Sequence, residues 1–182
     1  NTDRCQKDGL TMRLIACAVI LAGCGYLGAV FAGAFKKRTE SLMLMSDALR
    51  QLEFDIDFLS VTLAESFERI ALNFDGAVGQ VFEYTAARMK KKKCSDFLNI
   101  WNSAISAYGG ELYLRESDRS ILAEFARNLG AGDRESEKNN IRAALMRLKL
   151  AEDEARSEEK RNVKMYRGLG FLFGVFAVIV LI

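Results

Sequence analysis

Residues 14–35 and 168–182 carry no charge, and between them apolar positions recur with helical spacing. The first stretch lies between Arg13 and Lys36-Lys37-Arg38. As a helix rising about 1.5 Å per residue it would cross a hydrocarbon core of about 30 Å. A transmembrane helix is therefore expected over 12–35. Within it Gly25, Ala29 and Gly33 repeat every fourth residue. That spacing makes a flat face for packing on another membrane helix, although small residues are common in any such helix. The second stretch, GLGFLFGVFAVIVLI, would be only about 22 Å long as a helix. It falls short of a full crossing unless the bilayer thins or Lys164 and Arg167 snorkel. Being apolar on every face, it does not suit a soluble core helix.

The charged middle reads as helices. Leu42, Met45, Leu49, Leu52, Ile56, Leu59 and Leu63 step alternately by three and four, and Phe67 and Ile70 prolong the stripe. Such a heptad-like seam needs a partner helix along its length. Asn73-Phe74-Asp75-Gly76 is a turn signal that ends it. A helix over 77–93 follows, with Val78, Val81, Phe82, Thr85 and Met89 on one side and Lys90 to Lys93 closing it. Those lysines either complement the helix dipole or meet an acidic partner or anionic headgroups. A shorter helix over 95–107 carries Phe97, Ile100, Trp101 and Ile105 at packing positions. Gly109-Gly110 is expected to break the chain, and a helix over 117–129 to restart it from a Ser117 N-cap, with Gly130 at its C-cap. From Asp133 a polar helix runs through Ile141, Leu145 and Leu148. Residues 151–167, AEDEARSEEKRNVKMYR, read as a charged, exposed helical stalk leading into the terminal apolar segment.

These elements predict an all-α protein: a cytoplasmic helical bundle over 36–150, flanked by an N-terminal and a C-terminal transmembrane helix. The chain has no proline, so long helices are permitted nearly everywhere. It also has no histidine, which removes the commonest general base and the commonest metal ligand. Its four cysteines, Cys5, Cys17, Cys24 and Cys94, form no CxxC pair, arguing against a zinc site or a disulfide framework. A net charge of +2, with acids and bases balanced through the middle, offers no platform for nucleic acid. No phosphate loop, GxSxG elbow or HExxH motif occurs. Asp55 and Asp57, like Glu152-Asp153-Glu154, read as parts of solvated faces. The expectation is a protein without catalysis, cofactor, metal or small-molecule substrate.

Orientation follows from Lys160, Arg161, Lys164 and Arg167 ahead of the second apolar segment, which place the middle region in the cytoplasm. A rival reading comes from Leu21-Ala22-Gly23-Cys24, which matches a lipoprotein signal and would make Cys24 a lipid anchor on an exported protein. The apolar run continues past Cys24 as far as the basic Lys36, which favours an uncleaved helix. Another rival is a membrane-anchored coiled-coil adaptor that dimerises through the seam.

Leu129, Gly130, Asp133, Ile141, Leu145, Leu148 and Ala151, followed by Lys164-Met165-Tyr166-Arg167-Gly168-Leu169-Gly170-Phe171-Leu172-Phe173-Gly174, resemble the end of the stage III sporulation protein AB family. The resemblance covers about Met12 to Ile182, so that residues 1–11 are expected to precede the natural start. The sequence departs from the family pattern at Gly168, where the family has serine, and at Glu137, near a family glutamine. The resemblance implies a non-enzymatic subunit of the channel that links mother cell and forespore. Its cytoplasmic domain would be similar to that of the type II secretion inner-membrane platform protein. The implied partners are a cytoplasmic secretion-type ATPase, the other membrane subunits and membrane lipid.

Overall fold

A computed structural model describes residue 23 and residues 33–59, 61–91, 97–129 and 134–181, with side chains beyond residue 163 described only at Met165. Among the described residues every regular element is helical: α1 (33–54), a π-helical turn Asp55–Leu59, α2 (Leu63–Asn73), α3 (Gly76–Met89), α4 (Phe97–Leu112), α5 (Glu116–Asn128) and α6 (Arg134–Leu181). The chain divides into two compact units. One is Lys37–Arg156; the other joins Asn1–Lys36 with Ser157–Ile182.

Within the unit Lys37–Arg156, α2 packs on α3, α3 on α4 and α4 on α5. Trp101 is fully buried, with the rings of Phe82, Phe67, Phe125 and Phe97 centred 5.4, 5.8, 5.8 and 6.0 Å away. These rings come from four helices; those of Phe82, Phe67 and Phe125 meet Trp101 edge-to-face and that of Phe97 stacks on it, and aromatic pairs of both kinds add about 0.5–1.5 kcal/mol each beyond their burial. α1 supplies Leu42, Met45, Leu49 and Leu52 to the same core, all without exposed surface. α6 supplies Ile141, Ala144, Leu148, Ala151 and Ala155, again at steps of three and four. The two helices run antiparallel, since Glu53 meets Arg142 (2.6 Å) and Asp57, later in the chain, meets the earlier Lys138 (3.1 Å).

The seam from Leu42 to Leu63 is not one continuous helix. A π turn closes hydrogen bonds from i to i+5 and so inserts one residue into the helical count. Ile56 is the last seam residue in phase and stays buried; Leu59 turns outward to 40% exposure and Leu63 is half-buried. α2 then starts afresh from a capping box: Glu65 N–H donates to Thr62 Oγ1 (3.3 Å), and Thr62 N–H to Glu65 Oε2 (2.9 Å). The backbone hydrogen bond from Thr62 is the main reason the Glu65 carboxyl lies below its ordinary value.

The turn expected at Asn73–Gly76 is present between α2 and α3. Gly76 has φ +74°, the left-handed conformation that favours glycine. A Cβ on Gly79, three residues on, would overlap the Phe74 carbonyl, so the turn closes only over a glycine.

Further expectations are corrected, among them a solvated face for Asp55, which is buried. Gly109-Gly110 does not break the chain, because α4 continues through it to Leu112. Gly109 is buried, and the space its Cβ would take lies 2.8 Å from the Arg119 guanidinium, so it is a packing notch rather than a breaker. The break comes at Tyr113, with φ +52°. α5 is capped by Arg115 rather than Ser117. The stretch from 151 does not start as an exposed stalk, since Ala151, Glu152 and Ala155 are buried, and Glu152 accepts from Arg156 (2.8 Å) and Lys149 (3.2 Å).

Among the described residues no helix is long and apolar enough to cross a membrane. Most of the expected N-terminal span, with Gly25 and Ala29 of its packing face, lies outside the described residues. Gly33 begins α1, and a Cβ there would meet nothing within 4 Å. The backbone of residues 168–181 is helical, as the end of the 48-residue α6.

Candidate interaction surfaces

Where α1 begins, the run Lys36-Lys37-Arg38 does not act as three equivalent surface cations. Arg38 and Asp118 have side chains only 5% and 1% exposed and form a two-pronged pair, Nε to Oδ2 and Nη2 to Oδ1, both 2.9 Å. Asp118 lies in the first turn of α5, where it also accepts the Arg115 N–H (2.9 Å) and the Ser117 hydroxyl (3.4 Å). Burial pushes the Asp118 carboxyl up. The hydrogen bonds from Arg38, Arg115 and Ser117, together with the Arg38 charge, outweigh burial and hold the group below its ordinary value. Planar fork-to-carboxylate pairing of this kind fixes orientation as well as position. It locks the start of α1 to the start of α5, 80 residues apart.

Lys37 turns the other way. Its ammonium lies 5.0 Å from the ring centre of Tyr113 and 3.4 Å from its hydroxyl, tying α1 to the end of α4.

The other end of α1 is apolar and open. The Phe54 and Phe58 rings lie 4.9 Å apart, and Phe58 is 70% exposed. Leu59 adjoins them in the π turn. On the neighbouring α6, Met146 and Leu150 are 71% and 68% exposed, one and two turns beyond the Arg142 that pairs with α1. Apolar side chains exposed in this number on adjacent helices mark contact surfaces more often than single scattered ones do.

Of the clefts that open on the unit, one of about 470 Å³ lies beside the Lys37–Tyr113 contact, and two more lie between successive helices. One, of about 520 Å³, lies between α3 and α4 and is lined by Tyr84, Ala87, Arg88, Lys91, Asn99, Ile100 and Ser103. The other, of about 440 Å³, lies between α5 and α6, around Asn140 and the Arg147–Glu124 ion pair. No group of His, Cys, Asp and Glu among the described residues could hold a metal ion.

Comparison with known proteins decides what this arrangement is. A family model described as stage III sporulation protein AB matches residues 13–182. The chain belongs to the stage III sporulation protein AB family. A relative in this family, stage III sporulation protein AB of Bacillus subtilis (strain 168), is 25% identical over 170 residues, covering 93% of this chain and 99% of the relative. A solved structure of a stage III sporulation protein AB superposes with a TM-score of 0.63 at 24% identity, over 69% of this chain and 98% of that one. This likeness carries the fold.

In this member of the AB family the residues singled out from sequence are dispersed. Leu42, Met45, Leu49, Leu52 and Ile56 are consumed by the unit's own core and leave no seam for a second copy. Leu129 is buried at the end of α5, while Gly130 and Asp133 lie outside the described residues. Lys164, Leu169, Gly170, Phe171 and Gly174 follow one another along the helical backbone of α6, and Met165 there is 48% exposed. Cys24 lies outside the described residues. Sequence reasoning missed Arg38 with Asp118, and Phe54 with Phe58. Asp118 three residues after Arg115 carried a local signal, an acidic side chain reaching back to a helix start. Phe54 and Phe58 lie off the seam, and at that spacing nothing in the sequence separates an open face from a covered one.

Proposed function

We propose that this AB-family chain is a non-enzymatic scaffold subunit of the sporulation channel between mother cell and forespore. It is held in the membrane by its apolar segments 12–35 and 168–182. The helical unit lies on the cytoplasmic, mother-cell side and docks a secretion-type ATPase and other membrane subunits. The observation that carries this reading is the family match over 13–182, which takes in both apolar segments and the helical unit between them. The open apolar side chains of Phe54, Phe58 and Leu59 on α1 and the π turn and, separately, of Met146 and Leu150 on α6 supply apolar surface for such docking. The consumed seam weighs against the dimeric coiled-coil adaptor.

Topology is tested with a chain whose four cysteines are replaced and one cysteine is introduced at Lys91. A membrane-impermeant maleimide should leave it unlabelled in intact cells and label it after lysis. Labelling in intact cells would overturn the assigned side. Deletion of the gene should block spore formation, and the full-length chain in detergent should retain the channel ATPase. A sporulating deletion strain and no retention would together sink the scaffold reading.

A further inference from the structure

We propose that the cleft between the C-terminal half of α3 and the N-terminal half of α4 binds an acidic, partly apolar peptide segment of a partner protein. Its cations are Arg88, in the last turn of α3, and Lys91, just past its end, and among the described residues no carboxylate lines it. Neighbouring Lys90 is already committed to Glu68 (2.5 Å). Arg88, by contrast, is held by stacking: its guanidinium sits 4.4 Å from the ring centre of Tyr84, itself edge-on to Tyr108 at 6.3 Å. Stacking fixes the plane of the guanidinium without using its N–H donors, so the fork is pre-set for a carboxylate at little entropic cost.

The rest of the lining separates a peptide from other anions. Tyr84, Ala87 and Ile100 give the cleft an apolar wall that a bare phosphate would not use. The Ser103 hydroxyl donates to the Asn99 carbonyl (2.7 Å), so towards the cleft Ser103 can only accept. A peptide, with N–H groups beside its carboxylates, satisfies both the cations and that acceptor. The cleft also lies at the end of α4 remote from Leu112 and the Lys37–Tyr113 contact, about 14–20 Å along the helix axis from Ser103 and Asn99. That separation places it away from the first residues of the unit.

The test reads fluorescence anisotropy of a labelled helical peptide of alternating Glu and Leu pairs against the full-length chain in neutral detergent. Charge-assisted hydrogen bonds to a guanidinium and an ammonium are lost together in Arg88→Ala/Lys91→Ala, so affinity should fall about ten-fold or more. Arg88→Lys should recover part of the affinity of an Arg88→Ala single variant. Arg69→Ala/Arg127→Ala, which removes the same charge elsewhere on the surface, should change affinity by less than about two-fold. All four residues are exposed and make no ion pair among the described residues, and circular dichroism should confirm unchanged helicity. No binding by the wild-type chain, an equal loss in both double variants, or no loss in the Arg88/Lys91 variant overturns the proposal. It is also overturned if the Arg88/Lys91 variant instead loses selective binding to inorganic phosphate or to phosphatidylglycerol vesicles. The proposal deepens the docking reading above, but this readout does not depend on sporulation or on the ATPase, so either can fail without the other.

Discussion

Removing the Asp118 carboxylate should cost this protein more than any surface charge it carries. In Asp118→Ala the Arg38 fork loses both of its 2.9 Å acceptors and the Arg115 N–H loses its cap, within a site where both ionic side chains are almost wholly buried. Losing one partner of a buried pair costs about 3–5 kcal/mol, because the desolvated charge left behind is what destabilises. For a unit of this size that is a fall in Tm of about 10–20 °C, measurable by thermal circular dichroism of the full chain in detergent. Half-exposed pairs such as Arg147–Glu124 and Lys90–Glu68 should lie within about 1 kcal/mol. Arg38→Met/Asp118→Leu should recover much of the loss, since two apolar side chains leave no buried charge unpaired and only the Arg115 N–H cap is still missing. Because the folded carboxyl lies below its ordinary value, the stability it contributes is full above about pH 4 and disappears as pH falls through the lower folded value. The gap between wild type and Asp118→Asn should therefore close in acid and stay open at neutral pH. A fall in Tm under about 3 °C for Asp118→Ala, or a double variant as unstable as the sum of the single ones, would refute the argument.

Three further outcomes follow from the fold. Gly79→Ala should destabilise far more than Gly76→Ala in chemical denaturation: a Cβ at 79 meets the Phe74 carbonyl, whereas at Gly76 there is open space and only the strain of φ +74°, about 1 kcal/mol. Thr62→Ala should cost about 1 kcal/mol and appear as faster amide exchange in the first turn of α2, where the capping box lies. Phe58→Asp should leave stability within about 0.5 kcal/mol of wild type while weakening retention of the proposed ATPase in a pull-down. Unchanged retention would remove the α1 face from the docking surface.

Local physics accounts for what could be read from the chain and for what could not. The turn before Gly76 is legible because a glycine in the left-handed conformation leaves a signature within four residues. The Trp101 cluster is legible because each aromatic lies on the apolar side of its own helix. Arg38 is not legible: in sequence it belongs to a basic run beside an apolar stretch, and only an acid 80 residues away turns it inward. Gly109-Gly110 misleads for the opposite reason, since glycine signals a break unless a distant side chain, here Arg119, fills the space it vacates. Ala151 and Ala155 look too small to anchor a charged stretch, yet their size lets α6 approach the core closely. The Arg88 cleft depends on two helices meeting, so periodicity within either one says nothing of it.

The π turn at Asp55–Leu59 bears on how this chain can vary in length. It holds one residue more than an α-helical turn requires, so it is a place where a residue can be deleted and the helix repaired rather than broken. Such a deletion shortens the π turn to an α turn and leaves the residues on either side of it on the faces they already occupy. A relative one residue shorter at this point would share the bundle, core of α1 included, and carry one side chain fewer in the turn that now holds Phe58 and Leu59.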